Sequence, residues 1–212
     1  DYILQSGARI FSANNVVDTE HDAIKGAPTL KEVSIEDLLP RDEICVDLES
    51  VAESLRGKRI LITGSAGSIG SEIVRQVASF APSKMMLIDS AETPQHDIRR
   101  MMAHDFPSVP CATVVTSITK ADRMENIFKT FLPEYVFHAA AYKHVPMMED
   151  NPCEGIQNNV LGTKILADLS VKYGVRRFVM VSTDKAVNPT NVMGCSKRIC
   201  EVYVQSLNKA ER

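Results

Sequence analysis

No run in this sequence approaches the roughly 18 consecutive apolar residues that a membrane-spanning helix needs. Nothing at its beginning has the charged, apolar and small-residue order of a secretory leader. Lysine and arginine are scattered and never form a run. With a formal net charge of −3, that argues against a nucleic-acid partner. There is no CxxC pair. The five cysteines, Cys45, Cys111, Cys153, Cys195 and Cys200, are odd in number and sit in apolar or helical stretches, which suits a reducing compartment. They show no metal-ligand spacing, and the five histidines are equally scattered, so no metal is expected.

What is present is enough for one sizeable domain plus appendages: 212 residues, 44% of them apolar. The chain starts at Asp1, and its last residues, "SLNKAER", stop inside a helical pattern. Both ends therefore read as cut from a longer protein. Residues 1–56 have an irregular pattern and read as an arm or linker. Within them "SIEDLL" has a Ser cap and helical spacing, and "LPRDEICVD" reads as a connector.

From residue 57 the pattern is regular. "RILIT", "KMMLID", "ATVVT", "YVFHAA" and "RRFVMVS" are short apolar runs with the length of buried strands. Helical segments separate them. One follows the first strand as "SEIVRQVASF". Another opens with Thr93 as N-cap and Pro94 as first residue. A third covers 120–131 and is ended by Pro133, and a long one covers 152–173 and is ended by Gly174. A last helix starts near Val192. Strand–helix alternation of this kind calls for an α/β doubly wound parallel sheet, a Rossmann fold over 57–212, with strand order 3-2-1-4-5.

"TGSAGSIG" places Gly64, Gly67 and Gly70 between the first strand and its helix. The spacing gives a tight turn at Gly64, room for backbone amides to approach a pyrophosphate at Gly67, and close helix–strand packing at Gly70. The helix N-terminus then faces the anion. Ser65, Ser68 and Ile69 complete the loop's candidate cofactor contacts. Asp89 ends the second strand, where an acid accepts from adenosine ribose hydroxyls and repels a 2′-phosphate, or else caps a turn. With no Arg or Lys until Arg99, NAD is favoured over NADP. Ala139, Ala140 and Ala141 are small enough to let a cofactor lie against the backbone. Lys143 either faces a substrate phosphate or is a solvated surface residue. His144 is either a catalyst or, as a loop His, a structural hydrogen-bonding group.

The remaining absence lies in "STDKAVNPTNVMGCSKR", Ser182–Arg198. The stretch has the form of a dehydrogenase-type catalytic segment, in which a Tyr is followed after three residues by a Lys. Lys197 is there, but Met193 stands in the Tyr position. A thioether neither gives nor takes a proton. Thr183, Asp184 and Lys185 emerge at the carboxyl end of the fifth strand and offer a hydroxyl, a carboxyl and an amine. They read as a functional group, the alternative being a trivial surface ion pair.

The stretches "GSIGSEIVRQ", "FHAAAYKHVPMMEDNP", "NNVLGTK" and "STDKAVNPTNVMG", the last followed after Cys195 by "SKR", closely resemble nucleoside-diphosphate-sugar 4,6-dehydratases. These belong to the extended short-chain dehydrogenases, and the resemblance runs from about Lys31 to Leu207. It is strongest to the large membrane-anchored kind that acts on UDP-N-acetylglucosamine in bacterial polysaccharide and glycan synthesis. Members of that branch carry Met in place of the Tyr. The resemblance implies NAD-dependent oxidation at sugar C4, proton removal at C5, loss of the C6 hydroxyl as water, and return of hydride to C6. It implies Lys185 as base, Asp184 as acid, Thr183 on the C4 oxygen and Lys197 on the nicotinamide ribose. Lys185 or Asp184 would take the C4 hydroxyl proton. Acting as a base requires a lowered lysine pKa, which burial or Lys197 would favour. Lys143 and Asn188 are the candidate substrate contacts. Asn159 matches the family Asn that steadies the strand ends, and it is counted with the cofactor site. Ser117 stands where relatives place an Asp on adenine.

The same resemblance implies a C-terminal substrate lobe that this chain does not carry, a parent protein anchored on the cytoplasmic side of the bacterial inner membrane, and a soluble fragment. The helices at 152–173 and from 193 carry apolar stripes, including Val160, Ile165, Leu169 and Val202. These either pair two subunits in a homodimer or larger oligomer, or pack in the core. The expected activity is dehydration of a UDP-N-acetylhexosamine. The rivals are a C5-inverting dehydratase, a 4-epimerase, and a non-catalytic nucleotide-binding module.

Overall fold

A computed structural model describes residues 11–13, 30–32 and 47–210, with side chains for 47–209. Strands β1 (Phe11–Ala13) and β2 (Leu30–Glu32) pair antiparallel. The expected "SIEDLL" helix and most of the connector after it lie outside the described residues. By internal contacts the chain divides after Asp47, earlier than the sequence reading at residue 56. The difference is helix α1 (Leu48–Leu55), whose Leu55 is buried in the core of the second unit.

The second unit alternates strands and helices. β3 (Arg59–Thr63) leads to α2 (Ser68–Ser79), β4 (Lys84–Asp89) to α3 (Glu92–Asp105), and β5 (Cys111–Val115) to α4 (Ala121–Phe131). Then come β6 (Tyr135–His138), α5 (Val145–Asp150), α6 (Pro152–Gly155), a π-helical segment over Ile156–Leu161, and α7 (Gly162–Lys172). The chain ends with β7 (Arg177–Met180), a 3₁₀ turn at Asp184–Ala186, and α8 (Val192–Ala210). All the pairings in this sheet are parallel, in the order β5-β4-β3-β6-β7. Counted within the sheet, that is the expected 3-2-1-4-5.

Side-chain alternation explains the two layers of helices. On β3, Ile60 and Ile62 face one side with Val74 and Val77 of α2 and Ile98 and Met102 of α3. Leu61 faces the other side with Met124, Ile127 and Phe128 of α4 and Leu166 and Leu169 of α7. A parallel sheet covered on both faces reads as continuous apolar runs, as these strands do. Each fully buried Leu, Ile or Met contributes about 1.5–3 kcal/mol.

Two local expectations need correction. α3 begins at Glu92, so Thr93 and Pro94 are its second and third residues rather than cap and first residue. The Pro is tolerated there because the first four amides of a helix have no internal partner anyway. The helix expected over 152–173 is interrupted by the π segment and is preceded by α5, which the sequence reading missed. Of the apolar stripe, Leu169 is core at 8% exposure, whereas Val202 is 52% exposed.

One buried polar group joins the layers. His138, at the end of β6, is 1% exposed. Its Nδ1 lies 2.8 Å from Thr63 Oγ1 and its Nε2 2.9 Å from Thr163 Oγ1. Burial, with the Lys197 ammonium nearby, lowers the imidazole from 6.5 to about 3, so it is neutral. The unfolded chain therefore binds the extra proton between those values. The contribution of His138 to stability is complete above 6.5 and is lost as pH falls toward 3, by up to ~1.4 kcal/mol per pH unit. Thermal unfolding followed from about pH 7 to about pH 4 should lose stability more steeply in the wild type than in His138→Gln.

Candidate active site

In a doubly wound sheet the crevice opens where the strand order reverses, outside the carboxyl ends. Here that point lies between β3 and β6, and the Gly loop and the alanine run leave from it. The two exits nearly touch. Gly64 has φ +70°, and a Cβ on it would stand 2.5 Å from Ala140 N. A Cβ on Gly70 would stand 1.8 Å from Gly64 O. Both contacts are to backbone, so neither can yield by a rotamer change. Gly67 is different. Its nearest neighbour would be Gly64 O at 3.4 Å, an ordinary contact, and beyond that lies open cavity.

A cavity of about 260 Å³ runs from Gly64, Ala66 and Gly67 past Asp89 to Ser117 and Ala139–Ala141. A second, of about 510 Å³, shares Gly67, Ala139 and Ala141. It continues over Ser68, Ile69 and Gly70 to Tyr142, Lys143, His144, Met147 and Glu154. The first turn of α2 lines the second cavity, and a helix N-terminus of this kind favours an anion. The small-residue floor, the amide cluster and the acid at the far end fit a dinucleotide.

Several residues expected at the cofactor do other work. The Ser65 hydroxyl is fully buried and donates to Gln95 Oε1 at 2.8 Å, while Gln95 Nε2 donates to Leu87 O at 2.8 Å. Ser65 therefore braces the loop from behind, through a glutamine that the sequence reading missed. Asn159 is 1% exposed and saturated by protein. Its Nδ2 donates to Tyr142 O at 3.0 Å and to Ser196 Oγ at 2.9 Å, and its Oδ1 accepts from Tyr142 N at 2.8 Å. It staples the segment after β6 to α8, and its neighbour Asn158 lines the first cavity instead.

Asp89 serves the loop directly. Its Oδ2 accepts from Ala66 N and its Oδ1 from Ala91 N, both at 2.9 Å. A carboxylate has about four acceptor positions, so two remain for a ligand hydroxyl. Ser117 Oγ lies 2.8 Å from Thr119 Oγ1 at the wall of the first cavity. Asn188 is an exposed turn residue at φ +48° and lines neither of these two cavities.

The turn after β7 holds its three polar side chains together. Thr183 Oγ1 donates to Asp184 Oδ1 at 2.9 Å, and Lys185 Nζ donates to the same oxygen at 3.4 Å. The Thr183 hydroxyl, with the Lys185 ammonium beside it, holds the Asp184 carboxyl below its ordinary range. The Lys185 side chain is half exposed, so burial, one of the two conditions that would favour a base, is not met. The buried lysine is Lys197, at 5% exposure, and burial lowers its pKa. Met193 is also buried, at 4%, one turn before it on α8. Between them Gly194 has no room for a side chain, since a Cβ would stand 2.3 Å from Lys185 O. That glycine lets α8 press on the turn. Among the described residues, no three His, Cys, Asp or Glu side chains converge as metal ligands.

Comparison with known proteins agrees with this geometry. A family model described as "Polysaccharide biosynthesis protein" matches residues 60–212. The capsular polysaccharide biosynthesis protein CapD of Staphylococcus aureus is 42% identical over 96% of this chain and 34% of its own length. A UDP-N-acetylglucosamine 4,6-dehydratase (inverting) of Campylobacter jejuni is 33% identical over 66% of this chain and 41% of its own. Among solved structures, the Bordetella bronchiseptica enzyme WbmG in complex with NAD superposes with a TM-score of 0.60 at 27% identity, covering 70% of this chain and 49% of that one. The chain thus spans between a third and a half of these proteins.

The glycines give a paired prediction. Gly70→Ala should cost about 1–3 kcal/mol of stability, because backbone must move to admit the methyl group. Gly67→Ala should unfold as the wild type does, yet gain less thermal stability on adding a dinucleotide. Melting curves with and without dinucleotide check both.

Proposed function

The chain belongs to the polysaccharide biosynthesis protein family, and we propose that it is the cofactor-binding and catalytic part of a UDP-N-acetylhexosamine 4,6-dehydratase. The observation that carries this reading is the Thr183–Asp184–Lys185 cluster. It puts a relay hydroxyl, a carboxylate and an amine within hydrogen-bonding reach of one another beside a Met193 that can do no proton chemistry. Elimination across C5 and C6 needs one base and one acid at neighbouring carbons. The name of the Campylobacter relative supports the same reaction class.

NAD is the expected cofactor, held by Gly64–Gly70, Asp89, Ser117, Ala139–Ala141 and Lys197. Its nicotinamide supplies oxidation at C4 and reduction at C6. Asp89 presents a negative charge to the cavity, which disfavours a 2′-phosphate there and so favours NAD over NADP.

The low Asp184 pKa gives the carboxylate a first task before it can be an acid. It starts ionised. Thr183 Oγ1 accepts the proton of the sugar C4 hydroxyl and passes its own to Asp184 Oδ1. With that negative charge neutralised, the half-exposed Lys185 gives one ammonium proton to solvent, and the resulting amine takes the C5 proton. Asp184 then gives its proton to the C6 hydroxyl, which leaves as water. Lys185 returns a proton to C5 and regains its ammonium proton from solvent, so both side chains end as they began. Lys143 lines the second cavity, which supports assigning it to a substrate phosphate.

The full-length activity is proposed to work on the cytoplasmic side of the bacterial inner membrane, with the rest of the protein holding the sugar. No helix among the described residues is long and apolar enough to cross a membrane. The exposed Val202 and Ile199 on α8 support pairing of two copies through that face.

The test is mass spectrometry of UDP-N-acetylglucosamine incubated in heavy water with the full-length protein. Loss of one water with deuterium gained at C5 is the expected result. An unchanged mass would favour the 4-epimerase or the binding module. Lys185→Ala should abolish deuterium uptake at C5. Asp184→Asn should lower turnover by about 10²–10⁴-fold, the usual worth of a positioned acid–base group.

A further inference from the structure

The turn that carries Thr183, Asp184 and Lys185 is exposed, and its internal hydrogen bonds do not anchor it to anything. Two contacts from α8 do. One is the close approach at Gly194 to the Lys185 carbonyl. The other is polar. Ser182 Oγ, one residue before the cluster, donates to Glu201 Oε1 at 2.6 Å. The other oxygen of that carboxylate, Oε2, accepts from Arg198 Nη1 at 3.0 Å. Glu201 is therefore held at both oxygens, and one of its two partners is the root of the catalytic turn. It also lies four residues after Lys197 on α8, on the same helix face.

We infer that Glu201 is a positioning residue for the reaction proposed above. Its carboxylate clamps Ser182, and so fixes the Thr183–Lys185 turn against the helix that carries Lys197. The two sets of groups come from different elements. Lys197 rides on α8, and the cluster follows β7. A relay through Thr183 and a cofactor contact at Lys197 must serve one sugar ring, so the two elements need a fixed separation. A misplacement on the order of 1 Å costs about 10²-fold in rate. Charge-assisted bonds of this length are the strong ones, and a bonded partner on the second oxygen restricts the carboxylate to one orientation. The Ser182 hydroxyl, followed by the Arg198 guanidinium, holds the Glu201 carboxyl below its ordinary range, so the clamp is ionised and closed at neutral pH.

The inference rests on the dehydratase reading for its effect on rate, but not for the clamp itself, so two readouts separate them. Amide hydrogen exchange over residues 182–186 is measured in the full-length protein and in Glu201→Ala, Ser182→Ala and the double variant. Exchange in the turn should quicken in each single variant and no further in the double, because both remove the same bond. Steady-state kinetics on UDP-N-acetylglucosamine should show kcat reduced about tenfold or more, with KM and the thermal midpoint little changed and the single effects non-additive. Exchange in the turn equal to wild type in Glu201→Ala overturns the clamp, whatever the kinetics show. Faster exchange with unchanged kcat overturns the positioning role. If the wild type does not dehydrate the sugar nucleotide, the functional reading fails, and the exchange data alone then uphold or overturn the clamp.

Discussion

The neutral His138 is the constraint around which the carboxyl edge is built. Thr63 and His138 are register partners on adjacent parallel strands, and the residues after them are Gly64 and Ala139. One imidazole thus fixes the exits of both chain segments that form the floor of the crevice. Its second nitrogen reaches Thr163 on α7, so the helical layer is tied to the same point. A charged imidazole there would be unpaired in a low-dielectric interior and would face the buried Lys197. The close approach of the two exits permits only glycine at Gly64, where a Cβ would stand 2.5 Å from Ala140 N.

A second set of buried polar groups carries this order outward to α8. Asn159 binds Tyr142 on one side and Ser196 on the other, and Cys200 Sγ donates to the Asn159 carbonyl at 3.2 Å. Ser196 and Cys200 flank Lys197 on the helix, so the lysine is placed by its neighbours' contacts with Asn159 of the π-helical segment. Burying an ammonium is expensive unless something compensates. The lowered Lys197 pKa shows the desolvation it bears. Two polar staples, His138 and Asn159, thus set the geometry within which the exposed Thr-Asp-Lys turn operates.

Much of this was legible in the sequence, for reasons that are local. Strand positions follow from apolar runs, and their order from the rule that ligands and crossovers impose on alternating β and α segments. Gly64 and Gly70 are legible because only glycine tolerates a backbone contact at 2.5 Å or less, and the requirement leaves a spacing. What was missed depends on distance in the fold rather than along the chain. Ser65 reads as a loop hydroxyl, and nothing in its neighbourhood says that Gln95, thirty residues on, takes it inward. Asn159 was legible as an Asn steadying the strand ends, and its bonds to the Tyr142 backbone after β6 do that, but its partners Ser196 and Cys200 on α8 lie beyond any local signal. Glu201 lies in no motif, and the role of Gly194 is not given by its motif, because their partners are a serine and a carbonyl reached only after β7 and α8 have packed. The Pro94 error has a different cause. A proline fits any of the first helical positions, so it marks a helix start without fixing its residue.

The Met at position 193 then becomes intelligible as packing. In a segment of this form a Tyr there would bring a phenol to the crevice beside Lys197. The thioether is instead 96% enclosed, by the complement of its 4% exposure, and contributes to the seating of α8 rather than to proton transfer. In the proposed dehydration, losing that phenol leaves the first proton without an acceptor unless another group lies within one hydrogen bond of the substrate. Thr183 alone could accept a proton only by giving up its own, and the 2.9 Å bond to an ionised Asp184 would supply the destination. On that reading a carboxylate with a depressed pKa can still serve as the acid of the later step, because the substrate would protonate it one step earlier. The proton lost at C4 would then be the one that leaves with the C6 hydroxyl, so the Thr183–Asp184 pair would need no exchange with solvent between the two halves of the reaction.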